Sequence, residues 1–303
     1  MIVVRLSGGL GNQLLQYGFA RHLARKNETE LWIDASFYDS EQLGEARRYE
    51  LSPFNIYCQQ VINDNRFSEL YCQQMVRDNR FSESEFENLN IKMKYVREKF
   101  HTEVLSLDGW RQIAELGSNI ILDGYWGLYN EHLFDEEFAQ LLRREVSLKK
   151  EISDSAFLNY KQMIEGSDCP VAVHVRRGDY KNLGEMFALC DESYYKAAFA
   201  AVEKRLTFPE YFVFSDEIAW VRDNFKLPVR VHFVETNWHI SDFELMRLCK
   251  HHIAANSTFS ICAAILSDNR EKVVVLPARY FNDPSLQLNY ENLAQFWPGW
   301  LRV

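Results

Sequence analysis

The chain has 303 residues, 47% of them apolar and 14% aromatic, with 34 basic against 43 acidic residues and a net charge of −9. That length suits two domains, because single cores stop growing near roughly 250–300 residues. The acidic balance argues against a bulk binder of nucleic acid or anionic membrane, so any basic site must be local.

No basic segment followed by an apolar stretch opens the chain, and no run of about 18 apolar residues occurs, so a protein without a leader or a membrane-spanning helix is expected. The six cysteines, at 58, 72, 169, 190, 249 and 262, show no C-x-x-C spacing. They read as reduced, mostly buried thiols of a cytosolic protein, with Cys190 more exposed in a polar loop.

In chain order, residues 2–6, 7–12, 13–26 and 30–33 read strand, glycine loop, helix and strand, the opening of an α/β domain. A tandem repeat follows. Residues 56–69 and 70–83 are fourteen residues each, and ten of the fourteen positions are identical. Fourteen residues is close to four helical turns, so residues 55–85 read as a helical insertion with both copies presenting one face. A neutral surface insertion, an acceptor-side lid and a partner surface are all open readings of it. Residues 120–125 form a further strand and 134–150 a charged helix.

A second α/β unit is expected from residue 156, with strands at 170–175, 211–214, 229–234, 252–255 and 272–276. Helices at 193–205, 217–224, 242–250 and 260–266 alternate with them. Such alternation implies a parallel sheet wound on both sides, whose ligands sit outside the carboxyl ends of the strands. The expected domains are therefore 1–155 and 156–303.

Four chemically loaded segments fall at strand ends. The first is Gly8-Gly9-Leu10-Gly11-Asn12-Gln13, between strand and helix. Its backbone amides suit an anion or a closely approaching sugar, but a tight strand-to-helix turn accounts for it as well. It is no dinucleotide fingerprint, because Leu14 stands where a small residue is needed.

The second is His174-Val175-Arg176-Arg177-Gly178-Asp179-Tyr180, after the apolar run Val171-Ala172-Val173. Two adjacent guanidiniums at a strand end match phosphate oxygens in pairs, and the whole string favours anion binding over a structural ion pair. The third is Phe214-Ser215-Asp216-Glu217, where Asp216 is either an N-cap or an acceptor for the paired N–H donors of guanine. The fourth is Asn256-Ser257-Thr258-Phe259-Ser260, a run of hydroxyls at a helix N-terminus that suits a phosphate or a multiple N-cap.

No D-x-D, H-E-x-x-H or His/Cys cluster of ligand spacing occurs, so no metal is expected. The pair His251-His252 reads as structural, because adjacent strand residues point to opposite faces.

Taken together these segments resemble glycosyltransferase family 11, the α-1,2-fucosyltransferases. The opening run from Gly8 to Gln16 resembles the family's GGLGNQ-x-x-Q, and residues 174–180 its H-x-R-R-x-D-Y. Phe214–Asp216 resembles its F-S-D segment, and residues 249–260 its C-x-H-x-I-x-A-N-S-T-F-S. Leu15 replaces a common phenylalanine, and Ile261-Cys262 stand where aromatics are usual.

The resemblance covers nearly the whole chain. It implies an α/β fold of the GT-B type, two Rossmann-like domains facing across a cleft, with the acceptor on the first and GDP-fucose on the second. It implies inverting, metal-independent transfer of L-fucose from GDP-β-L-fucose to the 2-OH of a terminal galactose, on an oligosaccharide or lipid-linked glycan. It also implies a bacterial, cytoplasmic setting, with peripheral association at the inner membrane left open.

By the same resemblance, Arg176 holds the β-phosphate, Arg177 supports it or structures the loop, and His174 and Asp216 face guanine. Asn256, Ser257, Thr258 and Ser260 line the donor. Gly9, Gly11, Asn12 and Gln13 lie near fucose and acceptor. For a general base, Asp179 sits in the motif but reads as an orienter of the arginines, and Glu185 is the better-placed carboxylate. A dissociative route without a base is the alternative. Rival functions are a GDP-fucose transferase of another linkage, a non-catalytic GDP-sugar-binding protein and a Rossmann oxidoreductase.

Overall fold

The computed structural model describes residues 1–39, 47–62, 94–97, 113, 115–126, 136–182, 184–226, 228, 230–293 and 299–303. They form two compact units, Met1–Lys149 and Lys150–Val303, where the sequence places the division after residue 155.

The first unit contains β1 (Ile2–Arg5), α1 (Leu10–Lys26), β2 (Leu31–Asp34), β3 (Gln60–Ile62), β4 (Lys94–Arg97), β5 (Ile120–Asp123) and α2 (Glu136–Glu145). Its sheet is parallel throughout, in the order β3-β2-β1-β5-β4. The β1 residues Ile2, Val3 and Val4 are fully buried, as a strand flanked on both edges and covered on its faces requires. Helix α1 starts three residues earlier than expected, with Gly9 as its N-cap.

The insertion differs more. Residues 60–62 are not helical but form β3, bonded to β2 through Gln59 N–H to Leu31 O (2.7 Å) and Ala35 N–H to Ile62 O (2.8 Å). The open edge of β2 offers this segment a hydrogen-bonded partner, which outweighs its helical period. Residues 63–83 of the repeat lie outside the described residues.

The second unit contains α3 (Ser155–Gly166), β6 (Pro170–Val175), α4 (Glu192–Glu203), β7 (Glu210–Ser215), α5 (Ile218–Asn224) and β8 (Val231–Phe233). After these come α6 (His239–Leu248), β9 (His251–Ile253), α7 (Thr258–Leu266), β10 (Val274–Leu276), α8 (Pro284–Leu293) and β11 (Leu301–Arg302). The sheet runs β11-β10-β9-β6-β7-β8, again all parallel.

Asp191 caps α4 by accepting from Tyr194 N–H at 3.1 Å, and Asp154 caps α3 by accepting from Phe157 N–H at 3.0 Å; such a cap contributes about 1 kcal/mol. One face of β6 places Val171, Val173 and Val175 against Tyr194, Tyr195, Ala198, Phe199 and Val202 of α4. Each large side chain so buried contributes ~1.5–3 kcal/mol.

Cys190 belongs to this core rather than to an exposed loop. Its thiol donates to Asn256 Oδ1 at 3.4 Å, and burial pushes it up to about 12. The five described cysteines are all free thiols. Among the described residues, no helix is long and apolar enough to cross a membrane.

Candidate functional site

In the second sheet the chain steps outward from β6 to β8, then restarts on the other side of β6 with β9. This reversal leaves a crevice at the carboxyl ends of β6 and β9, the place where doubly wound sheets bind ligands. The arginine string leaves β6 there, and the hydroxyl run leaves β9 there.

Asp216, the first residue after β7, clasps the arginine loop. Its carboxylate accepts from the amides of Arg177 (3.1 Å) and Gly178 (3.0 Å) and pairs with Arg176 Nη1 at 3.0 Å. The approach needs a glycine, since a Cβ on Gly178 would lie 2.6 Å from Asp216 Oδ2. Asp216 thus serves the loop backbone and the first arginine.

Arg177 has a different setting. Its Nε donates to Glu217 at 3.1 Å, and its guanidinium stacks 3.2 Å from the centroid of the Trp220 ring. Lys181 also pairs with Glu217, and hydrogen bonds from Lys181 first and Arg177 second hold the Glu217 carboxyl below its usual range. Arg177 is thus a support of the loop, whereas Arg176 keeps a quarter of its side chain exposed. Asp179 opens a short 3-10 turn, Asp179–Asn182, and its side chain lies outside the described residues. Glu185 is exposed in the loop beyond.

Tyr180 ties the string to the β9 side. Its ring lies 5.6 Å from the Arg176 guanidinium, and its hydroxyl donates to Asn256 O at 2.9 Å. Helix α7 then begins at Thr258 with no acidic residue in its first turn and no side-chain cap from Ser257. A helix start of this kind attracts an anion. The Ser260 hydroxyl donates to Ser257 O at 3.3 Å. The structure thus brings Arg176, Ser257, Thr258 and Ser260 to one sheet edge.

Two expected donor residues lie deeper. Asn256 is fully buried, its Nδ2 donating to Ala188 O and to Tyr280 O (3.0 Å). It staples loops together, because a buried amide needs all its partners. His174 is 5% exposed, with its ring 5.7 Å from that of Phe259 and its Nδ1 without a partner. Burial, and then the nearby Arg176 charge, push it down to about 3, so it is neutral near pH 7. The pair His251-His252 is structural as expected: both are buried, and His251 Nδ1 accepts from Val273 N–H.

The glycine loop of the first unit is likewise built for shape. Gly8 adopts φ +75°, and a Cβ there would lie 2.4 Å from Asn12 Nδ2. Gly9, Gly11 and Asn12 sit at the N-cap and in the first turn of α1. Gln13, expected near the acceptor, is fully buried. It donates to Gly8 O (3.1 Å) and Arg48 O (2.9 Å) and accepts from Glu50 N–H (2.8 Å). Sequence reasoning gave Gln16 no role, yet it bridges Ser7 to Gly124 O across the point where this sheet reverses.

Two further residues carry no advance signal. Asp242, in the first turn of α6, accepts from Thr236 Oγ1 at 2.7 Å, and burial pushes its carboxyl up to about 6. Its neighbour Phe243 packs on Phe259, the ring that also meets His174. Asn282 donates from its Nδ2 to Gly184 O and Phe187 O. Among the described residues, no group of three or more His, Cys, Asp or Glu could hold a metal ion.

Two doubly wound parallel sheets, one with guanidinium and hydroxyl groups at its reversal, define an α/β protein of the GT-B type. The chain belongs to Glycosyl transferase family 11, whose sequence model matches residues 1–303, and it is a glycosyltransferase. It is 28% identical over 310 residues to the alpha-1,2-colitosyltransferase of Escherichia coli, covering 98% of each chain. It is 25% identical over 317 residues to the galactoside 2-alpha-L-fucosyltransferase Sec1 of Mus musculus, covering 100% of this chain and 74% of that one. Its fold is similar to that of Arabidopsis thaliana FUT1, solved in complex with GDP. The TM-score is 0.51 at 10% identity, over 90% of this chain and 69% of the other.

Proposed function

We propose that this glycosyltransferase moves L-fucose, with inversion and without a metal, from GDP-β-L-fucose to the 2-OH of a terminal galactose. The observation that carries the reading is Arg176, held by Asp216 and Tyr180 at the reversal of the second sheet, beside the start of α7.

Fucosyl transfer builds positive charge on the sugar and negative charge on the departing diphosphate. A prepositioned guanidinium and helix-start amides aimed at that charge stabilise the transition state more than the ground state. Arg176 would hold the β-phosphate, with Ser257, Thr258 and Ser260 along the diphosphate. With Asp216 committed to the loop, Asp242 is the carboxylate we assign to the guanine N–H donors, beside the neutral His174. The acceptor is assigned to the first unit, and Glu185 is assigned the proton of its hydroxyl.

The test is incubation with GDP-fucose and a panel of galactosides, with and without EDTA, with linkage read by NMR. An α-1,2 product formed equally in EDTA is expected. A different linkage, or activity lost in EDTA and restored by Mn²⁺, would overturn that part of the reading. Absence of any fucosylated product would remove the donor assignment. A colitosyl donor is run in parallel, because the chain aligns end to end with a colitosyltransferase.

A further inference from the structure

We propose that Asn282 is a positioning residue for Glu185, fixing that carboxylate at the edge of the donor site so that it can take the acceptor's proton. This deepens the reading above and rests on it.

Glu185 is an exposed side chain in a loop between the arginine string and α4. Holding such a residue in one conformation costs backbone entropy, which something must offset. Asn282 is built to offset it. Its Nδ2 donates to Gly184 O at 2.6 Å and to Phe187 O at 3.0 Å, and its backbone N–H donates to Met186 O at 2.8 Å. The residues on both sides of Glu185 are therefore pinned by a single asparagine, while the Glu185 side chain stays exposed.

The pinned loop is anchored to the donor edge. Phe187 pairs with Phe281 in an antiparallel bridge, and Ala188 N–H donates to Tyr280 O at 3.2 Å. The Phe187 ring stacks on Tyr180 at 4.5 Å and 15°, and Tyr180 lies under the Arg176 guanidinium. Buried Asn256 closes the base of the clamp by donating to both Ala188 O and Tyr280 O. The Phe187–Tyr180 stack, and the Tyr180 hydroxyl donating to the Asn256 backbone carbonyl, thus link the loop carrying Glu185 to the segment carrying Arg176.

In the transfer step the acceptor 2-OH oxygen forms a bond to fucose C1 as the C1–O bond to the β-phosphate breaks. The bonding pair leaves on GDP, whose charge Arg176 offsets. The hydroxyl proton passes to the Glu185 carboxylate and then to water. A base must sit within hydrogen-bond reach of that proton, so loop placement acts on kcat and leaves donor binding alone.

The experiment is a double-mutant cycle on the full chain with Asn282→Ala, Glu185→Gln and both together, read as kcat, KM for GDP-fucose, GDP affinity and melting temperature. We expect Asn282→Ala to lower kcat ~10–100-fold with GDP affinity unchanged, and the double variant to be no slower than Glu185→Gln. Additive losses, or a fall in GDP affinity and kcat together, would mean that Asn282 is merely structural, and a Glu185→Gln variant of normal kcat would likewise overturn the proposal. In both cases wild-type transfer would still stand, whereas a wild type inactive with every galactoside would overturn the transferase reading beneath it.

Discussion

The two sheets end in opposite ways. At the carboxyl edge of the first, the last residues of four adjacent strands stand in one register row: Asp34, Arg5, Asp123 and Arg97. Charges alternate along it, and Asp123 pairs with both Arg5 (3.6 Å) and Arg97 (3.5 Å) and accepts from the Tyr95 hydroxyl. At the edge of the second, Arg176 pairs with Asp216, and Arg177 and Lys181 both pair with Glu217. On the first edge one carboxylate serves two guanidiniums, whereas on the second the Asp216 carboxylate is shared between one guanidinium and two backbone amides. The second edge also carries the start of α7, whose first-turn amides favour an anion. Charge at a strand end is thus not a site by itself; the pairing decides whether it is turned inward or offered to a ligand.

Substitutions on the two edges should separate these roles. The largest effect is expected from Arg176→Ala, which should lower kcat ~10²–10³-fold with the melting temperature little changed. Near-normal turnover would show that the second edge is not the diphosphate site. Gly178→Ala comes next. Its new Cβ would push Asp216 off two amides, and kcat/KM should fall about tenfold through loss of ~1–2 kcal/mol of loop hydrogen bonding. Unchanged kinetics would mean that the clasp does not set Arg176.

Asp242→Asn should act in two directions. The folded carboxyl is raised to about 6 from 3.8, so protonation stabilises the fold below about pH 4, and that contribution is lost as pH rises through 6. The neutral variant should therefore be ~1–3 kcal/mol more stable than wild type at pH 7–8, with the gap closing at pH 4. It should also bind GDP several-fold more weakly. Calorimetry at both pH values and a GDP titration test the two parts separately, and undiminished GDP affinity would remove Asp242 from the base site.

The smallest effect on donor chemistry is expected on the other edge. Asp123→Asn should cost about 1–2 kcal/mol of stability by leaving Arg5 and Arg97 without their shared anion, while GDP affinity stays at the wild-type value. A GDP affinity that fell with it would erase the contrast between the edges.

The strand–helix alternation, the parallel sheets and the four loaded segments are all legible in the chain, because apolar runs, glycine turns and cap residues act over a few positions. So is the guanidinium pair at a strand end, since Val171-Ala172-Val173 marks the buried strand that must precede it. What only the tertiary structure decided is the division of labour among these residues. Asp216 clasps Arg177 across 39 positions, Asn282 holds Gly184 across 98, and Gln16 reaches Gly124 across 108. The burial of Cys190, His174 and Asn256 and the conversion of residues 60–62 into an edge strand were decided at the same level. Each depends on which distant segment supplies a partner or excludes water. Local periodicity carries no record of that, because a carboxylate or an amide has the same sequence signature whether it meets a ligand or a backbone amide.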